Sequence, residues 1–547
     1  MSENTKRVKN GFIAGSLASS AGVFVSKLIG LFYVVPFRSI VGQQNLDYYS
    51  AAYTYYNVLL QICSAGLPFA IAAIVARYAN RNDYKTLLLV RKMSTLILMC
   101  FGFGMAILFM AISRPLAAGR LGPAASPEAV IVMQNTFVIL ALALFFVPIL
   151  YSYRGFYQGL KELNVYAASQ VIEQFARVAA LLGLGFLVVK VMGMAPIFGI
   201  YASVLATTVG CIFALLYFMA FDRKQVVRLK AQARHQRTKA ASVGDLLLEM
   251  LGYGLPYVLV AILGNSQTLV NTQFFVRVNT SMGMSFETAQ ILNSIIETNC
   301  DKLTSIPQVL SIGFSAGIVP YMTTALENRD RRMLNRNIED CLDTVLYIAM
   351  PICFTMAVLS GPIYYFMYGA KELEFGTVCL RWASLLGFMT TLTPICNSMM
   401  LTLRFRKESI IYLAVGFMVK LITFYPLIRF TGFTGSITSS VLCSLTIVIL
   451  SLLKIKQQYK VRYRRIGIRA FKMLIGCFCM NGVYALFRMV GCNGLHPSRL
   501  IAMVQLAAMG ISAVAVYLLV TDAMKLPKAV FHMSLKDLVL KVAHRGA

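Results

Sequence analysis

Five basic side chains stand in stretches of this sequence that are otherwise apolar: Lys27, Arg177, Lys302, Arg381 and Lys420. A lysine or arginine at the centre of a membrane-spanning helix costs about 2.5–3.5 kcal/mol on insertion scales, so it is usually kept for a function. A cavity whose ionisable groups are mainly cationic favours an anionic substrate. We therefore predict that Lys27, Lys302, Arg381 and Lys420 bind substrate.

Acidic residues neighbour two of these cations. Glu173 precedes Arg177 by four residues, the favourable order for an ion pair within one helix. We interpret this pair as a structural or a coupling element. Asp301 adjoins Lys302, but adjacent helical residues do not face each other, so Lys302 is expected to bind another group.

The surroundings of the cations indicate where a cavity lies. Lys27 follows a stretch rich in small and hydroxyl residues that ends at Ser26, and such a helix face suits a water-filled cavity or close helix packing. We predict that Ser26 and Asp301 line the cavity. Arg381 has an alternative, structural role: its long side chain can extend from the helix to the outer surface of the membrane that the helix spans.

Metal sites and catalytic groups are not indicated. The twelve cysteines have no metal-ligand spacing, and Cys477 and Cys479 form a lone C-x-C. The histidines fall in polar connections or in the tail: His235, His496, His532 and His544. This pattern suggests neither a zinc site nor a catalytic triad. We expect no cofactor and no enzymatic activity.

The elements that carry these residues are predicted to be membrane-spanning helices. Of 547 residues, 58% are hydrophobic and 13% charged, whereas a soluble domain is about 25% charged. Apolar runs of about 20 residues predict an all-α integral membrane protein with about fourteen spans. The expected helices are 11–37, 47–76, 93–113, 128–152, 166–189, 197–220, 246–274, 300–325, 339–366, 377–402, 409–428, 433–453, 472–488 and 500–521.

The distribution of positive charge predicts the orientation. Lysine and arginine are concentrated in alternate connections, starting with the N-terminal tail, and the net charge is +29. Cytoplasmic connections carry such an excess, so both termini are predicted to be cytoplasmic. The basic run from Lys454 to Lys472 lies where a cytoplasmic connection is expected. We therefore predict membrane lipids as partners, and no nucleic acid.

The chain also contains an internal repeat. Val58-Leu59 recurs as Val309-Leu310 at an offset of 251 residues, and Pro148-Ile149 recurs as Pro394-Ile395 at an offset of 246. Two halves of six helices insert in the same direction, and such parallel repeats hold a substrate site between them. The predicted organisation is an N-terminal lobe, a basic linker, a C-terminal lobe, a basic loop, and two final helices with a tail: 1–222, 223–245, 246–454, 455–471 and 472–547.

Two stretches carry a family resemblance. The first is Ser26-Lys27-Leu28-Ile29-Gly30, followed by Gly66-Leu67-Pro68; the second is Asp301-Lys302, followed by Leu359-Ser360-Gly361-Pro362. They resemble the stage V sporulation protein B family, Firmicute relatives of the MurJ-type lipid II flippases in the multidrug/oligosaccharidyl-lipid/polysaccharide exporter superfamily. MurJ-type proteins carry an Asp-Arg pair in the second stretch, and Lys302 stands in the place of that arginine.

The resemblance implies a V-shaped pair of six-helix lobes around a cationic cavity, with two extra helices that form a groove for a lipid tail. It implies a flippase of the bacterial cytoplasmic membrane that binds an undecaprenyl-pyrophosphate-linked glycan, with lipid II favoured and cell-wall synthesis machinery as a further partner. Leu60 and Gln61 replace arginines of the Gram-negative members, and we expect Gln61 to line the cavity. Lysine lacks the planar guanidinium group with which arginine donates two parallel hydrogen bonds, so the anion site can differ in shape.

Three alternatives remain at this point. The chain can be a flippase for another lipid-linked polysaccharide, or a membrane scaffold or synthase subunit for wall assembly. It can also be a cation-coupled multidrug exporter on the same fold, which we disfavour because the acid of the first lobe, Glu173, already has Arg177 as a partner. The sequence does not indicate whether sodium, protons or membrane potential drives the cycle.

Overall fold

The computed structural model describes residues 33–65, 67–160, 162–236, 240–308, 322, 325–326 and 328–531. These residues form helices and connections, without a strand among them. The chain divides into two compact units, Met1–Thr298 and Asn299–Ala547. Each unit is described separately below.

The described helices of the first unit are numbered in chain order. They are α1 Val34–Val41, α2 Leu46–Ala65, α3 Leu67–Asn80, α4 Tyr84–Leu121, α5 Pro127–Gly159, α6 Leu163–Phe186, α7 Pro196–Arg234, α8 Val243–Ser281 and α9 Phe286–Ser294. Two π-helical turns extend this set: Leu187–Val191 continues α6, and Ile295–Cys300 continues α9.

The helices of the second unit follow the same numbering. They are α10 Arg331–Val358, α11 Ser360–Tyr368, α12 Leu373–Thr402, α13 Arg406–Thr431, α14 Thr434–Tyr459, α15 Tyr463–Met489, α16 Arg499–Ala523 and α17 Leu526–Phe531. Residues 301–308 are also helical.

Ten of the helices that the structure describes are long and apolar enough to cross a membrane. They are α4 to α7, with the π turn included in the α6 span, together with α10 and α12 to α16. Helices of 25 residues or more exceed the roughly 20 residues that span a hydrocarbon core. The predicted all-α membrane fold is confirmed, and the ten spans are consistent with the expected total.

Several helices extend beyond their apolar runs, because polar caps define their ends. The side chain of Asp83 accepts a hydrogen bond from the Thr86 backbone N–H at 3.0 Å, so α4 begins at Tyr84 and not at the expected residue 93. Burial raises the pKa of Asp83, but hydrogen bonds from Thr86 and Gln236 outweigh it and hold that pKa below its ordinary value. Gly122 ends α4 with a φ of 77°, which suits glycine.

Other predicted helix bounds were also wrong. The expected helix 47–76 is two helices, α2 and α3, and the expected helix 339–366 is interrupted at Leu359 between α10 and α11. Helix α7 continues through charged residues to Arg234, into the predicted linker. Polar side chains cost a helix little outside the hydrocarbon core, so helices need not end where hydropathy falls.

Close helix contacts in both units depend on glycine. In the first unit, a Cβ at Gly155 of α5 would lie 2.7 Å from the carbonyl oxygen of Pro68 on α3. In the second unit, a Cβ at Gly435 of α14 would lie 2.3 Å from the carbonyl carbon of Leu427 on α13. Small residues let helix backbones approach closely where lipid supplies no hydrophobic driving force between helices.

Candidate functional site

Helix α6 brings Glu173 and Arg177 together on one face, as their spacing predicts. Arg177 Nη2 donates to Glu173 Oε1 at 3.0 Å, and both side chains are buried. The Tyr56 hydroxyl approaches the same carboxyl oxygen at 3.5 Å, and Arg177 Nη1 lies 3.4 Å from the Tyr53 hydroxyl. The pair is therefore part of a buried polar contact between α6 and α2.

A second arginine, which sequence reasoning missed, shares the same carboxylate. Arg154 of α5 donates from Nη2 to Glu173 Oε2 at 2.8 Å and from Nε to Ser169 Oγ at 3.2 Å. Arg154 was expected in a connection, because helix α5 was predicted to end at residue 152. The helix runs to Gly159, and Arg154 is buried inside the unit. We call Arg154, Glu173 and Arg177 the Glu173 cluster.

The Glu173 cluster carries an excess of positive charge. Two guanidinium groups face one carboxylate, and the Nε of Arg177 is buried without a hydrogen-bond partner in the described part of the chain. Aromatic rings offset part of this charge: Arg154 lies 5.0 Å from the Tyr151 ring centroid, and Arg177 lies 5.7 Å from that of Tyr56. The first unit thus contains a buried cationic centre at the Glu173 cluster.

A second buried network lies where α2, α4 and α9 meet. Arg120 donates to the Asp47 carboxylate from both terminal nitrogens, at 2.9 and 2.7 Å. Asn293 Nδ2 donates to the same carboxylate at 2.7 Å. All three side chains are buried, and we call them the Asp47 network. Arg120 lies beyond the expected helix 93–113, but α4 extends to Leu121 and includes it.

A further hydrogen bond lies beside the Asp47 network. Gln43 Nε2 donates to Ser294 Oγ at 2.6 Å, across 251 residues, and Asp47 and Asn293 are 246 residues apart. Both hydrogen bonds hold the start of α2 and the turn before it against α9 within the first unit.

Lys420 in the second unit is fully buried between α13 and α14. Its Nζ donates at 2.8 Å to the Ser436 carbonyl oxygen, to Ser439 Oγ and to Ser440 Oγ. The ammonium group also lies 4.8 Å from the Phe424 ring centroid. An ammonium has three N–H donors, and neighbouring helix oxygens take all three in this arrangement.

The other predicted site residues that the structure describes are exposed or partly buried. Lys302 is partly buried in the helical segment 301–308, where Asp301 is exposed, and Arg381 is exposed on α12. Gln61 of α2 is exposed and accepts a hydrogen bond from Asn265 Nδ2 at 2.8 Å. Lys27 and Ser26 lie outside the described residues.

The residues that sequence reasoning missed had a signal in the sequence. Asp47 is an acid at the start of an apolar run, and Arg120 and Arg154 lie within about two helical turns of predicted span ends. Prediction from hydropathy alone placed the two arginines in connections exposed to solvent. A search for acids and bases near span ends would have found all three.

The described part of the chain holds no group of three or more histidine, cysteine, aspartate or glutamate side chains that could bind an ion. What the site offers is buried charge in helices. Such charge is typical of transport pathways.

Comparisons with known proteins agree with this chemistry. A family model described as polysaccharide biosynthesis protein matches residues 12–326. "Lipid II flippase MurJ" of Bacillus subtilis (strain 168) is 25% identical over 468 residues, which cover 85% of this chain and 86% of the relative. "Stage V sporulation protein B" of the same organism is 20% identical over 368 residues, covering 66% and 68%.

A solved structure of "Lipid II flippase MurJ, inward closed conformation" has the same fold. It aligns with a TM-score of 0.67 at 17% identity and covers 93% of this chain and 98% of the solved one. The predicted resemblance to the stage V sporulation protein B and MurJ-type proteins is confirmed. Two of these proteins are named as lipid II flippases, in agreement with the prediction that the chain is not an enzyme.

Proposed function

The chain belongs to the polysaccharide biosynthesis protein family, and we propose that it is a flippase for an undecaprenyl-pyrophosphate-linked cell-wall precursor, with lipid II as the favoured substrate. The precursor moves from the inner to the outer leaflet of the bacterial cytoplasmic membrane, and both termini are cytoplasmic. Its partners are the lipid-linked anionic glycan and the membrane lipids, with cell-wall synthesis machinery as a further partner.

One observation carries this proposal. A relative named as a lipid II flippase aligns with most of the chain. The Glu173 cluster agrees with it, because two buried arginines share the one carboxylate of Glu173 and leave an excess of positive charge. An anionic headgroup is the substrate chemistry that such an excess favours.

Lys27 and Lys302 are the proposed pyrophosphate ligands. Two unit charges 4 Å apart attract by about 4 kcal/mol at an effective dielectric of 20, before desolvation. Charge-assisted hydrogen bonds from ammonium to phosphate add specificity. Rocking of the two repeats then exposes the site to each leaflet in turn. The membrane potential helps the empty cationic site return, since one charge moved through 100 mV is worth about 2.3 kcal/mol.

The test is rescue of bacterial cells depleted of their own lipid II flippase. The wild-type chain should restore growth, and Lys27→Ala or Lys302→Ala should abolish rescue while membrane abundance stays normal. Lys27→Arg and Lys302→Arg should rescue, because arginine keeps the positive charge and binds phosphate well. Lys224→Ala is the matched control, since Lys224 is exposed on α7.

Two results would count against the proposal in different ways. Full rescue by the Lys27→Ala, Lys302→Ala double variant would remove the pyrophosphate site at these lysines. Absence of rescue by abundant wild-type protein would exclude lipid II as the substrate. In that case, export of another lipid-linked polysaccharide or of cationic drugs should be measured with the same variants.

A further inference from the structure

Glu297 is an acidic side chain that the proposed flippase mechanism does not use. It is partly buried and lies in the π-helical turn Ile295–Cys300 that continues α9. Such turns are rare and are frequently found at functional sites. A carboxylate in this setting requires either a cation or hydrogen-bond donors.

Two threonine hydroxyls from other helices meet the Glu297 carboxylate. Thr272 Oγ1 of α8 lies 2.8 Å from each of the two carboxyl oxygens. Thr54 Oγ1 of α2 donates to Oε2 at 3.0 Å. Glu297 therefore connects three elements of the first unit through hydrogen bonds to hydroxyl groups.

This arrangement satisfies the carboxyl group in both protonation states. When Glu297 is ionised, both threonine hydroxyls donate to it. When Glu297 is protonated, its O–H can donate to Thr272 Oγ1, whose own hydrogen then turns to the carbonyl oxygen of Thr268, 3.0 Å away. A hydroxyl group can donate one hydrogen bond and also accept one. Apart from the added proton, the ionised and protonated forms of Glu297 therefore differ only by rotation of the Thr272 hydroxyl.

The charges around Glu297 are compatible with both its ionised and its protonated form. Asp47 and Tyr55 on α2 and Arg120 on α4 are the titratable groups that act on it electrostatically. Arg120 already directs both terminal nitrogens to Asp47. In the described part of the chain, no basic side chain forms an ion pair with Glu297. Asp47, Arg120 and Glu297 together carry one negative charge when Glu297 is ionised and none when it is protonated.

We propose that Glu297 binds and releases a proton, with Thr54 and Thr272 as its hydrogen-bond partners. A proton from water adds to the carboxylate and returns to water on release, so no other reactant is needed. The hydroxyl and carboxyl oxygens are in direct hydrogen-bond contact, at 2.8 and 3.0 Å, and this contact needs no metal cation. Proton binding is independent of the substrate, whereas its use in driving transport rests on the proposed function.

The proton has a structural consequence at this position. Ionised Glu297 accepts hydrogen bonds from both α2 and α8, and protonation changes one of these contacts into a donation. Thr54 lies about two helical turns from Asp47 on the same helix. Proton uptake at Glu297 is thus in a position to change how α2 is held against α8 and α9.

Infrared difference spectroscopy of the purified full-length protein tests the proposal. The absorption of a protonated carboxyl group should appear as the pH falls from about 9 to about 5, across the range where perturbed carboxyl groups titrate. Glu297→Gln should remove this band. Glu287→Gln, which changes an exposed residue of α9, should retain it. Thr54→Val and Thr272→Val keep the carboxyl group, and each should displace the midpoint of the band.

Two outcomes would overturn the proposal. One is a titration in Glu297→Gln that equals the wild-type titration. The other is a band insensitive to pH but sensitive to sodium, which would make Glu297 a metal-cation ligand. The measurement uses no substrate, so a normal titration together with failed rescue of flippase-depleted cells would count against the proposed function and leave the proton site standing.

Discussion

The guanidinium group of Arg120 donates two hydrogen bonds to the carboxylate of Asp47, and neither side chain has any exposed surface. The two residues are 73 positions apart and come from the ends of different helices, α4 and α2. A buried pair of this kind need not be strongly stabilising as a whole. Loss of one partner, however, leaves an uncompensated charge in a site from which water is excluded.

We expect Asp47→Ala to destabilise the protein by about 3–5 kcal/mol, since Arg120 would then be buried without its counter-ion. The double variant Asp47→Ala, Arg120→Leu should be more stable than the single variant. Thermal unfolding of detergent-solubilised protein measures both, with the exposed Glu287→Gln variant as control. Equal stability of the wild-type and Asp47→Ala proteins would contradict this description of the pair.

The Glu173 cluster predicts an asymmetric response to charge exchange. Glu173→Gln should lower stability, because two buried guanidinium groups would lose their shared carboxylate. The exchange variant Glu173→Arg, Arg177→Glu should not restore stability, since it places a new arginine beside Arg154. If Arg154 had no part in the cluster, the exchange would restore the ion pair and most of the stability.

Unfolding temperature and membrane abundance measure these effects, with the exposed Glu128→Gln variant of α5 as control. Removal of one arginine as well should partly rescue Glu173→Gln. A Glu173→Gln variant that keeps its stability but loses transport would instead identify the cluster as a coupling element. That result would favour the coupling role of the Glu173–Arg177 pair over the structural role, both of which were predicted from the sequence.

The membrane fold and the family were predictable from the sequence because both depend on local features. An apolar run of sufficient length forms a helix in lipid wherever it stands in the chain. The Glu173–Arg177 pair was predictable for the same reason, since the geometry of one helix brings the two residues together.

Burial of Arg120 and Arg154 was not predictable from hydropathy. Both lie beyond the apolar runs, and their burial depends on how far α4 and α5 extend and on which helices pack against them. Lys420 shows a second limit: its partners are hydroxyl and carbonyl oxygens 16 to 20 residues away on the next helix. A search for acidic partners on its own helix does not find such ligands.

The orientation of the chain remains a prediction, and reporter fusions test it. A fusion within 223–239 should be cytoplasmic, because that connection is rich in lysine and arginine. A fusion within 279–290 should be outside. Paired alkaline phosphatase and green fluorescent protein reporters distinguish the two sides. Both fusions on one side would be incompatible with the proposed repeat of six helices followed by six.

The contact between α13 and α14 predicts opposite effects for two glycine substitutions. In Gly435→Ala, the new Cβ would lie 2.3 Å from the Leu427 carbonyl carbon and 2.4 Å from the Ile428 nitrogen. Forcing the helices apart should destabilise the protein by about 1–3 kcal/mol. Gly467 of α15 has open space around it, so Gly467→Ala should stabilise the helix by about 0.5–1 kcal/mol. Unfolding temperatures that change in the same direction would refute this interpretation of the contact.

Variants of Lys420 can distinguish a structural role for this lysine from a role as a substrate ligand. Lys420→Met removes three hydrogen bonds between α13 and α14, and the serine hydroxyls partly compensate, because Ser439 and Ser440 also donate to the Ser436 carbonyl oxygen at 2.9 and 3.1 Å. We expect a loss of about 1–3 kcal/mol. Rescue of flippase-depleted cells should then fall only as far as membrane abundance falls.

Lys420→Arg provides the decisive comparison for this residue. A guanidinium group is larger than an ammonium group and cannot direct three donors at the same close oxygens, so this variant should be at least as unstable as Lys420→Met. A pyrophosphate ligand would behave in the opposite way, because arginine binds phosphate well. Normal abundance and normal rescue in Lys420→Arg, together with lost rescue at normal abundance in Lys420→Met, would make Lys420 a substrate ligand. Lys224→Met, on the exposed face of α7, controls for the loss of a positive charge.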